Sequence, residues 1–404
     1  MFRRIRRAAG IARFSVFFLI NELIRIAIPC RTGSATLVVR MDAIGDFVIW
    51  LSAGAGEIAE MARRHGRSVL LAKRDWADFA KSLDLFDEVW PVDTERLKRS
   101  LCYRVSLQIR IRRAGFSFVI QPRAAREFLL EDSVIRVSGA ESVIGSLGNT
   151  RNIDPRLKQL ADRWYSKLIE VPPESAHELE RSKVFCRALT GKEPHPVSVN
   201  FDPATLSRFA VNQDYFVVAP GAGWSGRCWP AERFGEIAAR LHKVTGLLCI
   251  VIGSPEDRSL AIPIVAALGS QCLDLTGRTT LMETGALLKQ AQLAVVNESG
   301  IAHFAPFVGT KAIVLLGGGH FGWFMPYGTN VAETVRPRAI YHLMDCYGCD
   351  WKCKFEVPQG ATVPCLDRIS VDDVWSVVME TAVGLQLPAA ADSGRRVSKS
   401  LGAT

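Results

Sequence analysis

The sequence predicts an α/β protein made of two Rossmann-like halves facing a cleft, with an amphipathic helix at its N-terminus. Three observations carry this. At 404 residues the chain is too long for one ordinary core and suits two domains. Short β-branched apolar runs alternate with helix-like stretches, the pattern of a parallel sheet covered on both faces. The alternation also starts afresh at Tyr215, after a polar stretch dotted with prolines. The expected organisation is a membrane-associating segment over 1–33, a first domain over 34–195, a second over 196–386, and a disordered tail over 387–404.

The N-terminal segment carries Arg3, Arg4, Arg6, Arg7 and Arg13 with no acid among them. Residues 14–28, FSVFFLINELIRIAI, are apolar but interrupted by Asn21, Glu22 and Arg25. The run is shorter than the roughly 20 apolar residues that a spanning helix needs. No A-x-A cleavage pattern closes it, which argues against a signal peptide. The expectation is an in-plane anchor, with Phe14, Phe17, Phe18, Leu23 and Ile24 in lipid and the arginines on phosphates. The alternative is a helix packed on the protein's own surface.

Strands are expected at 35–40 (ATLVVR), 68–72 (SVLLA), 88–92 (EVWPV) and 117–121 (SFVIQ), with helices between them, one over 76–83. The stretch 146–200, with Pro155, Pro172, Pro173, Pro194 and Pro196, reads as the connection between domains and holds a helix near 176–190. The second set of strands is 215–219, 247–252, 272–275, 293–296 and 312–316. A last helix over 370–383 has Ser370 as its N-cap.

Hydrophobic content of 48% with 23% charged residues describes a packed soluble protein and excludes a disordered one. The net charge of +9 is concentrated. Residues 96–126 hold nine basic side chains, Arg123 and Arg126 among them, and no acid. Such patches imply an anionic partner, either lipid headgroups or a phosphorylated glycan. No nucleic-acid-binding signature accompanies the charge, so nucleic acid is not expected as a partner.

Ligands in open α/β sheets bind at the carboxyl ends of strands, so the loops there carry the chemistry. The first is Arg40-Met41-Asp42-Ala43-Ile44-Gly45-Asp46. Its two acids compete for the role of general base, and a helix cap is the plain alternative for Asp46. The second, Pro220-Gly221-Ala222-Gly223-Trp224-Ser225-Gly226-Arg227, contains G-x-G-x-x-G. Pro230 starts the helix after that motif instead of inside it, and no acid follows at the second strand end about 20 residues on, against a dinucleotide site. What remains is a loop of free amides with one cation, Arg227, suited to a diphosphate. The third, Gly253-Ser254-Pro255-Glu256-Asp257, places an acid where ribose hydroxyls are commonly held. The fourth, Asn297-Glu298-Ser299-Gly300-Ile301-Ala302-His303, offers backbone amides at a helix N-terminus. His303 there is either a ligand contact or an interior histidine.

In this order, R-M-D-A-I-G-D-F, P-G-A-G-W-S-G-R-C-W-P, G-S-P-E-D, N-E-S-G-I-A-H-F-A and L-L-G-G-G-H-F-G-W-F-M-P resemble glycosyltransferase family 9, over about residues 36 to 380. That family includes the ADP-heptose–lipopolysaccharide heptosyltransferases. The resemblance implies the GT-B fold, with the acceptor in the N-terminal domain and the sugar nucleotide in the C-terminal one. It implies an inverting, metal-independent transfer with Asp46 as base and Arg227 on the diphosphate, where relatives often have Lys. It puts Asp257 on ribose, Thr279 against the base, and the Ser299-Gly300 amides on phosphate. It implies no cofactor, a nucleotide-diphosphate sugar (an ADP-sugar first) as donor, and a lipopolysaccharide-type or lipid-linked glycan as acceptor. The expected place is the cytoplasmic face of the bacterial inner membrane. The expected donor contacts are Gly221, Ala222, Gly223, Arg227, Asp257, Thr279, Glu298, Ser299, Gly300 and His303. The expected acceptor contacts are Arg40, Arg123 and Arg126. One departure is that Glu298 stands where the family usually has Asp. The chain also has no D-x-D motif to hold a divalent ion on a diphosphate.

Ten cysteines divide into six scattered ones and the run Cys346-x2-Cys349-x3-Cys353-x11-Cys365. The run leaves structural zinc, disulfides and unlinked thiols open. Two other functions compete with transfer. One is a non-catalytic GT-B glycan or membrane binder, which Glu298 hints at. The other is a dinucleotide-dependent oxidoreductase, which the late helix start disfavours.

Overall fold

The computed structural model describes residues 2–31, 33–173, 176–328 and 331–383, with side chains from residue 13 onward apart from Pro203, Ala382 and Val383. The expected tail beyond 387 lies outside the described residues, as do the side chains of the first four arginines.

Two six-stranded sheets form the frame. The first has β1 (Ala35–Arg40), β2 (Ser68–Lys73), β3 (Glu88–Val92), β4 (Phe116–Gln121), β5 (Ser142–Ser146) and β6 (Lys167–Ile169), in the order β3-β2-β1-β4-β5-β6. The second has β7 (Tyr215–Ala219), β8 (Leu248–Val251), β9 (Cys272–Asp274), β10 (Ala294–Asn297), β11 (Ala312–Leu315) and β12 (Arg338–Ile340), in the order β12-β11-β10-β7-β8-β9. All paired neighbours run parallel. β1, β7, β10 and β11 are buried along their whole length, as expected of apolar runs covered by helices on both faces.

Both sheets have the same doubly wound order, and each reverses direction between its first and fourth strands. The switch points therefore lie at β1/β4 and β7/β10, where crevices open at the strand ends. The first, second and fourth loops of the sequence leave β1, β7 and β10, so all three lie at switch points.

The stretch after residue 146 is more than a linker, because β6 completes the first sheet and the helix Glu178–Thr190 packs on the first half. One apolar core runs through both halves: Phe47, Trp50, Trp76 and Phe79 join Phe304 of the second half. Phe79 and Phe304 have ring centroids 5.3 Å apart.

The N-terminal helix, α1 (Phe2–Ala27), corrects the expected orientation. Phe17 and Ile24 are buried, and Phe14 and Phe18 pack on Phe128. Polar partners explain why this face turns inward. Asn21 Oδ1 accepts from Gln108 Nε2 at 2.5 Å and from buried Arg104 at 3.4 Å, and Glu22 accepts from Arg136 at 2.7 and 2.9 Å. The interruptions in the apolar run are thus the groups that dock it. The exposed apolar stripe is Val16, Leu19, Leu23 and Ile26, with Leu23 alone shared with the expected lipid face. Among the described residues no helix is long and apolar enough to cross a membrane.

Candidate active site

The loop after β1 ends in α2 (Ile44–Leu51), whose N-cap is Ala43 and which has no side-chain cap. Asp46 lies in the first turn of this helix and lines a cavity of about 470 Å³ between the two halves. Asp42 points elsewhere. Its carboxylate is 1% exposed, 2.7 Å from Arg40 Nη2 and 4.0 Å from Arg123 Nε. Burial pushes Asp42 up to about 6 despite Arg40. Burial also raises Asp46, against the pull of Arg123 and with Glu178 adding to the rise. Of the two acids, only Asp46 faces the cleft.

The second half contributes Gly223, Arg227, Glu298, Ser299, Gly300 and His303 to the same cavity. Arg227 sits in a short turn, Ser225–Arg227, and the following helix starts at Ala231 with Pro230 as N-cap. The loop is stapled by Asn297 at the end of β10, whose side chain accepts from Trp229 N at 3.1 Å and donates to Pro220 O at 2.5 Å. Ser299 is the N-cap of the helix Gly300–Phe307 and has no side-chain cap, leaving amides of the first turn at the cavity wall. His303 is buried, its Nδ1 lies 3.1 Å from Tyr327 Oη, and burial lowers it to about 3, so its ring is neutral.

The two halves meet through glycines. A Cβ at Gly45 would lie 3.1 Å from His303 Cδ2, and one at Gly300 would lie 2.6 Å from Ile44 Cγ2. Close approach, not backbone angle, favours glycine at both, and more sharply at Gly300.

A second cavity of about 340 Å³ adjoins the first across Ile44, Ser299 and Gly300. Gly221, Ala222, Asp257 and Thr279 line it. Asp257 Oδ2 accepts from Ser254 N at 2.8 Å and Ser254 Oγ at 2.9 Å, and a Cβ at Gly221 would run into the carboxylate. The expected donor residues are thus divided between two connected spaces, one apolar-walled and one charged.

Two of the three expected acceptor arginines are engaged in the interior. Arg40 is 1% exposed, ion-paired to Asp42 and bonded to Asp46 O at 3.0 Å, so it holds the loop. Arg126 is fully buried against Asp132, Asp162 and the ring of Tyr165. Only Arg123 lines the cleft, with its guanidinium 2.7 Å from Glu131. Cleft-lining residues that the sequence reading missed include Arg151, Glu178, Arg181, His320 and Asp350. His320 lay in a recognised motif, whereas Asp350 was hidden inside the cysteine run.

Cys346, Cys349, Cys353 and Cys365 are free and share the lining of one small apolar cavity. Among the described residues no three His, Cys, Asp or Glu side chains are arranged to hold a metal ion, so the zinc expectation finds no ligand set.

Residues 136–342, just over half the chain, match the model of glycosyltransferase family 9 (heptosyltransferase). The chain is 29% identical over 146 residues to lipopolysaccharide heptosyltransferase 3 of Escherichia coli, covering 34% of this chain and 43% of that protein. It is 30% identical over 128 residues to lipopolysaccharide heptosyltransferase 2 of Salmonella typhimurium, covering 30% and 36%. The matched part is less than half the length of these relatives. Among solved structures, the E. coli ADP-heptose LPS heptosyltransferase II superposes with a TM-score of 0.60 at 17% identity, covering 86% of this chain and 98% of that one. The family 9 glycosyl transferase of Veillonella parvula does so with a TM-score of 0.62 at 15% identity, covering 87% and 98%. These likenesses give the fold, GT-B. The chain belongs to glycosyltransferase family 9.

Proposed function

We propose that this protein is an inverting, metal-independent glycosyltransferase that moves a heptose or related sugar from a nucleotide diphosphate to a lipopolysaccharide-type or lipid-linked glycan. The observation that carries the reading is one shared cavity. It joins Asp46 from the first half to Arg227 and the Ser299-Gly300 helix start from the second.

The chemistry follows from that pairing. Asp46 takes the proton of the acceptor hydroxyl, whose oxygen attacks the anomeric carbon. The bond from that carbon to the diphosphate oxygen breaks, and the nucleoside diphosphate leaves with the electron pair. Arg227 and the helix-start amides meet the charge that develops on it, the task that a divalent ion on a D-x-D motif performs elsewhere. Burial of Asp46 favours its protonated state and so makes it a stronger base than a solvated aspartate. Attack from the face opposite the leaving group inverts the anomeric centre. Holding both substrates in one cleft supplies orientation.

The 340 Å³ space beside Asp257 and Thr279 suits a nucleoside, and ADP-heptose is the first donor to test because relatives bear that name. Glu298 is longer than the family's Asp and leaves the sugar open. The stripe Val16, Leu19, Leu23 and Ile26, following an arginine-rich start, supports association with the inner face of the bacterial inner membrane, where such acceptors are built.

The test pairs purified protein with a panel of nucleotide sugars, with and without acceptor, and follows nucleoside diphosphate release. Mass spectrometry of the host's surface glycan, with and without the protein, then identifies the residue added. Release from one donor that survives chelators is expected. No release from any donor, or loss of transfer on chelation, would overturn the reading.

A further inference from the structure

Between Cys349 and Cys353, the cysteine-rich segment presents Asp350 to the cleft and sets Trp351 behind it, against Arg227. We propose that Trp351 is a positioning residue for Arg227, and that the segment Cys346–Cys365 is thereby a working part of the donor site. This rests on the reading of Arg227 as the cation for the donor diphosphate.

The Arg227 guanidinium lies over the face of the Trp351 indole, 4.5 Å from its ring centroid. Trp224 meets the same indole edge-on at 6.5 Å. Without that face Arg227 is held at one end only: Nη2 donates to Glu298 O at 3.0 Å, and Nε is buried with no hydrogen-bond partner. A guanidinium that must meet a diphosphate with fixed geometry needs its plane set, and an aromatic face does this without using up a donor.

The segment grips the chain on both sides of Arg227. Val363 N donates to Gly226 O at 3.0 Å and Thr362 Oγ1 to Cys228 O at 2.8 Å. Both neighbours of Arg227 are therefore bonded to the segment whose indole it rests on.

The turn that presents Trp351 is strained. Asp350 and Trp351 have φ of 52° and 58°, a left-handed pair in which a bulky side chain is rare. Such strain persists only where the surroundings over-determine it, and here they do. Gly348 N donates to Gly318 O at 2.7 Å, Asp350 N to Gly319 O at 3.0 Å, and Gly318 N to Cys365 Sγ at 3.4 Å. A side chain at Gly317 or Gly319 would run into the Trp351 ring, so this glycine run after β11 is its seat. The same turn brings Asp350 Oδ1 to 3.2 Å from His320 Nε2, and both residues line the 470 Å³ cavity.

The experiment measures ADP affinity by calorimetry on the full chain, for wild type, W351L, W351F, R227A and the double variant R227A/W351L. W351L is expected to weaken ADP by about tenfold and W351F by about threefold, the span of a partly desolvated cation–π contact. In the R227A background W351L should change affinity less than about twofold, because its effect passes through the guanidinium. A merely structural tryptophan would give the same loss in both backgrounds, and that result overturns the proposal, as does unchanged affinity in W351L. If W351L does not fold, the same cycle run with W351F decides. Wild type that fails to bind ADP would instead overturn the donor-site reading beneath it.

Discussion

Arg227 and Glu298 meet at the wall of the cleft, with the guanidinium bonded to the Glu298 carbonyl at 3.0 Å and standing 3.8 Å from its carboxylate. The attraction does not win. Burial pushes the Glu298 carboxyl up to about 7 even with Arg227 beside it. A carboxyl that is harder to ionise folded than unfolded contributes stability at low pH and loses it as the pH rises, here between about 4.5 and 7. Glu298→Gln cannot ionise and should escape that loss. Relative to wild type, the variant should gain roughly 2–3 kcal/mol between pH 5 and pH 8. Urea melts at the two values measure it, and an offset that stays constant with pH would refute the assignment.

Asp46 and Asp42 share a loop but not a surroundings, so their amides should fail differently. Asp46→Asn removes the base and should lower kcat by about 10²- to 10⁴-fold with little change in donor KM. Asp42→Asn breaks a buried ion pair with Arg40 and should cost about 3–5 kcal/mol of stability. Steady-state kinetics and thermal melts on both variants separate the roles. Full activity in the Asp46 variant would sink the mechanism.

That distinction was only half legible in the sequence. Strand-and-helix alternation and the order of the loops put Asp46, Arg227, Asp257 and Gly300 beyond strand ends, because each follows a strand whose apolar run is unmistakable. Arg126 misled because charge counted along a chain does not reveal the partners across the fold, whereas Arg40 is claimed by Asp42 two residues on in its own loop. The acids of Arg126 stand at Asp132 and Asp162, outside the acid-free run that drew attention to it. The lipid face of α1 failed for the same reason. Asn21 and Glu22 look like defects in an apolar helix until Gln108 and Arg136 are seen opposite them. Strand β6, three residues long at a sheet edge, has too little apolar pattern to announce itself.

The exposed stripe of α1 gives a membrane test in which the fold should not suffer. Leu19 and Leu23 are 59% and 54% exposed, so replacing both with Glu removes little packing. Each leucine that enters a bilayer is worth about 1.5–3 kcal/mol, and the double variant should bind anionic phospholipid vesicles at least tenfold more weakly at unchanged Tm. Phe17→Glu should instead lower Tm, because Phe17 lies under the Arg104 guanidinium, 4.8 Å from it. Equal vesicle sedimentation of wild type and the double variant would rule out this stripe as the contact.

The contact of Gly300 with Ile44 offers the most direct test that the two halves must close to working distance. A methyl group at Gly300 would stand 2.6 Å from Ile44 Cγ2, well inside van der Waals contact. Gly300→Ala should therefore push α2 away from the helix Gly300–Phe307, carrying Asp46 off its line with Arg227. The strain should cost about 1–3 kcal/mol of stability, and the displaced base should lower kcat more steeply than the melt suggests, since about 1 Å of misplacement costs roughly 100-fold. Ile44→Ala removes the obstructing methyl. If the defect is the clash, the double variant recovers both stability and turnover beyond the sum of the single changes. If the losses simply add, the alanine acts through something other than Ile44.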